Sequence, residues 1–286
     1  MSKHDDEFEG VPTTGHEWDG IREYDKPMPR WWLLTFYATI IWAIGFTILY
    51  PAWPRVLTAT PGVLKFSSRQ VLQQELDNAE AANAVINSEL AAADLTKIGE
   101  TPELQQYAIS KGAAVFRTWC AQCHGSGAQG AKGFPSLLDD DWLWGGTIQD
   151  IDYTVTHGIR NETDPDARFS QMPAFGEILS GEEIDDVVNY VMSLSNEPHD
   201  ADKAKAGATI FADNCASCHG EDGKGSHDVG APNLTDAVWL YGGDHDTLVQ
   251  TVTNARFGVM PAWGQRLSKA DVAAAATYVH QLGGGQ

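Results

Sequence analysis

Cys120-Ala121-Gln122-Cys123-His124 recurs as Cys215-Ala216-Ser217-Cys218-His219, and these two strings use all four cysteines of the chain. A bare Cys-x-x-Cys serves zinc sites and redox disulfides. A histidine directly after the second cysteine, twice and inside a longer repeat, instead specifies covalent c-type haem attachment. The two thiols add to the porphyrin vinyl groups and the next imidazole meets the iron. Cys120, Cys123, Cys215 and Cys218 are therefore the predicted attachment residues for two covalently bound haem c groups. His124 and His219 are the predicted iron ligands. A macrocycle supplies much of the core of a small domain, so short helices suffice around it.

The repeat extends on both sides of the motifs. Gly112-Ala113-Ala114-Val115-Phe116 matches Gly207-Ala208-Thr209-Ile210-Phe211, each glycine eight residues before its first cysteine. Both stretches read as helices whose glycine admits a second helix at close range. Downstream, Pro135 matches Pro232, and Trp142-Leu143-Trp144-Gly145-Gly146 matches Trp239-Leu240-Tyr241-Gly242-Gly243. Each half then closes with a capped helix, Ser180 with Glu183 opening one and Ser268 with Asp271 the other. Phe116 with Tyr190, and Phe211 with Tyr278, are the expected aromatic contacts between the first and last helices of each half.

Of the five methionines, only Met172 and Met260 lie in a repeated Met-Pro-Ala-aromatic-Gly loop. Met192 lies on an apolar helix, where packing is the ordinary role. Met172 and Met260 are accordingly the predicted sixth ligands, each in its own half; a thioether there stabilises ferrous haem. With both iron faces filled, these sites relay electrons and leave no position for substrate. His157 pairs with Asn254 in the repeat and reads as a surface or propionate-contacting residue. His227, His245 and His280 have no repeat counterpart and read as solvated. Arg160 and Arg256 are open candidates for propionate contact. Asn161 to Arg168 is a loop present only in the first half, and its Asp- and Pro-rich composition marks it as exposed.

Trp31 to Tyr50 runs for 20 residues without a charge. At 1.5 Å per residue that covers roughly 30 Å, the thickness of a bilayer's hydrocarbon core. Trp31, Trp32, Tyr50 and Trp53 stand at its ends, where amphipathic aromatics favour the headgroup zone. The thirty residues before it and Pro51-Ala52-Trp53-Pro54 after it argue for an uncleaved anchor and against a signal peptide. Lys26 and Arg30 flank its N-terminal side, which favours that end inside. Because c-type haem is attached outside the bacterial inner membrane, everything after Pro51 is expected in the periplasm and the tail in the cytoplasm. The formal charge of −20 excludes a binder of nucleic-acid backbone. It suits either a partner with a basic face or solubility alone.

On these motifs both halves resemble class I cytochrome c domains, over residues 104 to 195 and 203 to 283. The resemblance implies a mainly α fold: one N-terminal transmembrane helix followed by two tandem class I cytochrome c domains. It also implies that the N- and C-terminal helices cross and that Pro135 and Pro232 shape the loop on the histidine side of each haem. The expected organisation is a tail at 1–30, an anchor at 31–53, a periplasmic spacer at 54–103, and haem domains at 104–198 and 199–286. Gln70 to Ala93, rich in good helix formers, is the expected spacer helix, docked or a tether. Ser195 to Asp202 is the linker between haem domains, short enough to keep them in contact.

The N-terminal string Thr14-Gly15-His16-Glu17-Trp18-Asp19-Gly20-Ile21, followed by Pro27-Met28-Pro29-Arg30-Trp31-Trp32, closely resembles one family. That family is the membrane-anchored dihaem subunit of cbb3-type cytochrome c oxidases, the C-family haem–copper oxidases. The resemblance implies electrons accepted from a donor cytochrome c or a cytochrome bc complex. They would pass to a monohaem cytochrome c subunit and then to the catalytic haem–copper oxidase subunit, where oxygen is reduced to water. It implies membrane lipid as a partner and gives His16, Trp18 and Arg30 a part in assembly. The same haems also permit an autonomous membrane-anchored carrier, or a dihaem peroxidase-like enzyme that would release Met172 in one redox state.

Overall fold

The computed structural model describes residues 7–8 and 10–285, which divide after Ala82 into two compact units. In the N-terminal unit, β1 (Glu7–Phe8), β2 (Val11–Trp18) and β3 (Ile21–Tyr24) form an antiparallel sheet in that order. Asp19 and Gly20, both at positive φ (49° and 84°), make the tight turn between Trp18 and Ile21. Asp-Gly between two strands is a hairpin signal that a reading of this segment as a charged tail passed over.

Helix α1 (Arg30–Leu49) begins directly after Pro29, and it buries none of its side chains against this chain. Its length and mean hydropathy of 1.8 suit a membrane crossing. The last carbonyls of such a helix need partners. The chain supplies them by folding back: Val63 N–H donates to Ile48 O at 3.0 Å and Leu64 N–H to Leu49 O at 3.1 Å. Gly62, at φ +67°, fits here because a Cβ would run into the Leu49 carbonyl. Helix α2 (Ser68–Ala92) occupies the expected spacer. Residues 68–82 are exposed throughout, and Leu90 near the far end is the helix's one buried residue.

The haem-motif unit contains α3 (Pro102–Val115), α4 (Ala121–His124), α5 (Ile148–His157), α6 (Gly181–Leu194), α7 (Ala201–Asn214), α8 (Ala216–His219), α9 (His245–Asn254) and α10 (Lys269–His280). Both expected capping boxes form, Ser180 with Glu183 on α6 and Ser268 with Asp271 on α10. The helices do not pair half by half. α3 packs on α10, and α6 packs on α7. Phe116 therefore meets Tyr278 at a ring separation of 5.5 Å, and Tyr190 meets Phe211 at 5.1 Å. The expected pairs Phe116–Tyr190 and Phe211–Tyr278 are corrected accordingly.

Two glycines make this exchange possible. A Cβ on Gly112 of α3 would collide with the Ala274 carbonyl and the Tyr278 Cβ of α10, and one on Gly207 of α7 with the backbone of Asp186 and Val187 on α6. The linker explains the choice of partner. Leu194 ends α6 and Ala201 begins α7. Two amphipathic helices joined this closely bury their apolar faces on each other as a helical hairpin. Asn189 Oδ1 accepts from Asp200 N–H at 2.8 Å, and Asp185 on α6 pairs with Lys203 on α7. The second haem unit is thus one continuous stretch from the Met172 loop through α9. The first is assembled from two stretches, α3 to α5 and the Met260 loop with α10.

Candidate haem sites

Each Cys-x-x-Cys-His motif occupies a short helix stopped by a left-handed glycine, Gly125 (φ +80°) after His124 and Gly220 (φ +79°) after His219. The reversal brings a proline carbonyl back to each imidazole. Nδ1 of His124 lies 3.0 Å from Pro135 O, and Nδ1 of His219 lies 3.1 Å from Pro232 O. A carbonyl only accepts, so Nδ1 carries the proton and the Nε2 lone pair is left for a metal. Burial lowers the pKa of both imidazoles, against the opposing pull of the carbonyl bond. It favours the neutral form that binds iron. Pro135 and Pro232 thus shape the histidine side, as expected.

No disulfide joins any of the four cysteines. Cys120 and Cys215 are half-buried, and burial, reinforced by Cys123 and Cys218 respectively, raises each to about 11. Cys123 and Cys218 are exposed at the outer edge of their helices.

The methionines sit across the repeat. Met260, Cys120 and Trp142 all pack against one cluster that includes Phe116, Ile151 and Val155, around the first motif. A Cβ on Gly264 of its loop would meet Thr156 of α5. The Met172 loop lies on the other side: Gly176 abuts Thr253 of α9, and α9 shares a core with α6, α7 and Cys215. The expected membership of each methionine in its own half is corrected, for the reason that exchanged the helices. Met192 is buried in that second core, as expected of packing.

The donor set fits haem, because each motif supplies two thiols and an imidazole whose Nε2 is left for iron. A separate cavity of about 630 Å³ between the two histidine-side loops is walled by Pro135, Trp142, Pro232, Trp239 and Tyr241 and includes none of the motif residues. Trp144 Nε1 is buried without a hydrogen-bond partner. Arg160 is half-buried, and among the described residues no carboxylate pairs with its guanidinium. Such a donor and such a charge suit propionates.

The other singled-out residues fall outside these sites. His157 Nδ1 is tied to Asp164 Oδ2 at 3.1 Å, clamping the loop peculiar to the first half. His245 is not simply solvated, since its Nε2 bonds Asp185 Oδ1 at 2.7 Å. His227 is exposed and His280 half-buried. Arg256 donates to Gln250 Oε1 and stacks over Tyr241. His16 and Trp18 lie on exposed β2.

A carboxylate cluster escaped the sequence reading. Asp141 shares a hydrogen bond with Asp236, and burial together with Asp236, Asp139 and Asp140 lifts its carboxyl to about 6. The signal was the Asp139-Asp140-Asp141 run directly before Trp142.

Three family models match along the chain. They are the N-terminal domain of cytochrome oxidase-cbb3, FixP, over residues 10–56; cytochrome c over 109–195; and cytochrome c oxidase, cbb3-type, subunit III, over 202–279. The cbb3-type cytochrome c oxidase subunit CcoP of Cereibacter sphaeroides is 61% identical over 277 residues, 96% of each chain. The chain belongs to the CcoP/FixP family. Subunit FixP of Sinorhizobium medicae is 52% identical, covering 99% of this chain and 98% of its own. Subunit CcoP of Rhodobacter capsulatus is 52% identical over the full length of both. Family membership makes the chain a cytochrome c subunit of the cbb3 oxidase class, an electron-transfer component that binds haem c covalently. Its α1 is the one candidate membrane anchor among the described residues.

Proposed function

We propose that the chain holds two haem c groups, one on Cys120 and Cys123 with His124 and Met260 as iron ligands, the other on Cys215 and Cys218 with His219 and Met172. The observation that carries this reading is the exchange of helices, which puts the Met260 loop on α5 beside Cys120 and the Met172 loop on α9. Haem supplies a one-electron carrier whose potential the thioether raises. The chain's own residues do the rest. Pro135 and Pro232 orient the imidazoles, Phe116 and Phe211 close the helix crossings, and Arg160 and Trp144 offer donors for propionates.

In this reading α1 anchors the chain in the bacterial inner membrane, with residues 1–30 cytoplasmic and the haem units periplasmic. Electrons arrive from a donor cytochrome c or a cytochrome bc complex. They leave toward a monohaem cytochrome c subunit and the catalytic haem–copper subunit, and the net charge of −20 favours a donor with a basic face. Chain purified through a tag from solubilised membranes tests this. Haem b together with excess haem c, and cyanide-sensitive oxygen uptake with a reduced cytochrome donor, is the expected result. Two haems c per chain, no haem b and no oxygen uptake would instead assign an autonomous carrier.

A further inference from the structure

Residues 158–161 lie between the two methionine loops and hold both. On one side Ile159 pairs antiparallel with Met260, the two residues exchanging both backbone hydrogen bonds at 3.0 Å. Asn161 Nδ2 adds a bond to Met260 O at 3.3 Å. On the other side Arg160 N–H donates to Arg168 O at 2.8 Å and Arg168 N–H to Gly158 O at 3.1 Å, at the start of the extended segment that leads to Met172. The Arg160 side chain repeats the pattern. Its Nε donates to Ser170 O, two residues before Met172, and its Nη1 donates to Gly258 O at 3.2 Å, two residues before Met260.

We propose that Arg160 is a positioning residue for both iron-ligating methionines, so that one guanidinium fixes the two sites as a pair. The inference rests on the reading of Met172 and Met260 as ligands. A planar fork reaches two carbonyls with fixed geometry, which a lysine point charge does not. The residue also holds φ +52°, a conformation that costs a non-glycine residue energy unless its surroundings enforce it. Trp144 supports the guanidinium at 5.9 Å, and the repeat counterpart Arg256 goes to Gln250 instead. The tie crosses the sequence repeat, since Ser170 belongs to the second haem unit and Gly258 to the first.

The test uses the full haem-loaded chain in detergent, with Arg160→Gln and the charge-retaining Arg160→Lys, checked for unchanged haem content. Met172→Leu and Met260→Leu are measured alongside. Each methionine variant should remove about half of the thioether-to-ferric-iron charge-transfer band; if either leaves the band whole, the ligand reading fails, and that failure is separate from the one tested next. Given both halves of the band, imidazole titration of the ferric protein should show tighter binding at both haems in both Arg160 variants. The expected change is about tenfold, the factor that 1.4 kcal/mol represents. Tighter imidazole binding at one haem only, or at neither, overturns the proposal. So does a fall in both potentials with imidazole affinity unchanged, because that would mean Arg160 acts through its charge alone.

Discussion

The exchange of helices makes a prediction about coupling that the half-by-half arrangement contradicts. Phe116 is fully buried, and its ring centroid lies 5.5 Å from that of Tyr278 with the planes tilted by 51°. Aromatic pairs in that range contribute about 0.5–1.5 kcal/mol beyond the area they bury. Leucine at each position keeps most of the bulk and removes the ring–ring interaction. A double-mutant cycle of Phe116→Leu and Tyr278→Leu should therefore return a coupling of about 1 kcal/mol. Phe116→Leu with Tyr190→Leu should add to within about 0.5 kcal/mol, because those residues sit in separate cores. The assay is urea unfolding of the haem-loaded chain in detergent, followed by far-ultraviolet circular dichroism; covalent haem keeps the cofactor constant across variants. Coupling between 116 and 190, with none between 116 and 278, would refute the exchanged architecture.

Three further outcomes follow from the same geometry. Met260→Leu should lower the potential of the haem on Cys120 and Cys123, and redox titration of that variant with Cys215 and Cys218 also replaced identifies which haem moved. Truncation after residue 198 removes α10 and Met260, so the remaining first motif should carry haem without methionine ligation, visible as loss of its charge-transfer band. Asp141 titrates near 6, well above the ordinary aspartate value of about 4, so the folded chain holds a proton there that the unfolded chain has released. Stability should accordingly fall as pH rises from about 4 through about 6 and stay lower above it. Asp141→Asn should flatten that dependence and melt higher than the parent at neutral pH; an unchanged pH profile would remove Asp141 as its source.

The chemistry of the sites was legible because it is local. Five consecutive residues place two thiols and an imidazole on one helical turn, and the stopping glycine and following proline complete the imidazole's orientation within the same loop. The long apolar helix was legible for the same reason, as was each capping box. What the repeat could not convey is which copy of a helix meets which. Phe116 and Phe211 occupy equivalent positions, as do Tyr190 and Tyr278, so the pattern fits either pairing equally well. The role of Arg160 was out of reach too, since it depends on two carbonyls, at Ser170 and Gly258, that meet only after the exchange.

The exchange in turn ties the two haem units together in a way a linker alone would not. Had each half folded on itself, the six residues between α6 and α7 would be a tether, and the haem units would move apart as far as that tether allowed. Here the first unit is closed by α10, and the chain reaches α10 only after passing through the whole second unit. Lys111 on α3 bonds Asp271 on α10 at 2.7 Å across that closure. Opening the distance between the units therefore strains two chain crossings, residues 158–171 and 255–259, together with the Arg160 bonds to Ser170 O and Gly258 O that tie them. On the proposed reading of two haems, electron tunnelling demands a fixed short separation, and the pair of crossings supplies the constraint that a single linker lacks.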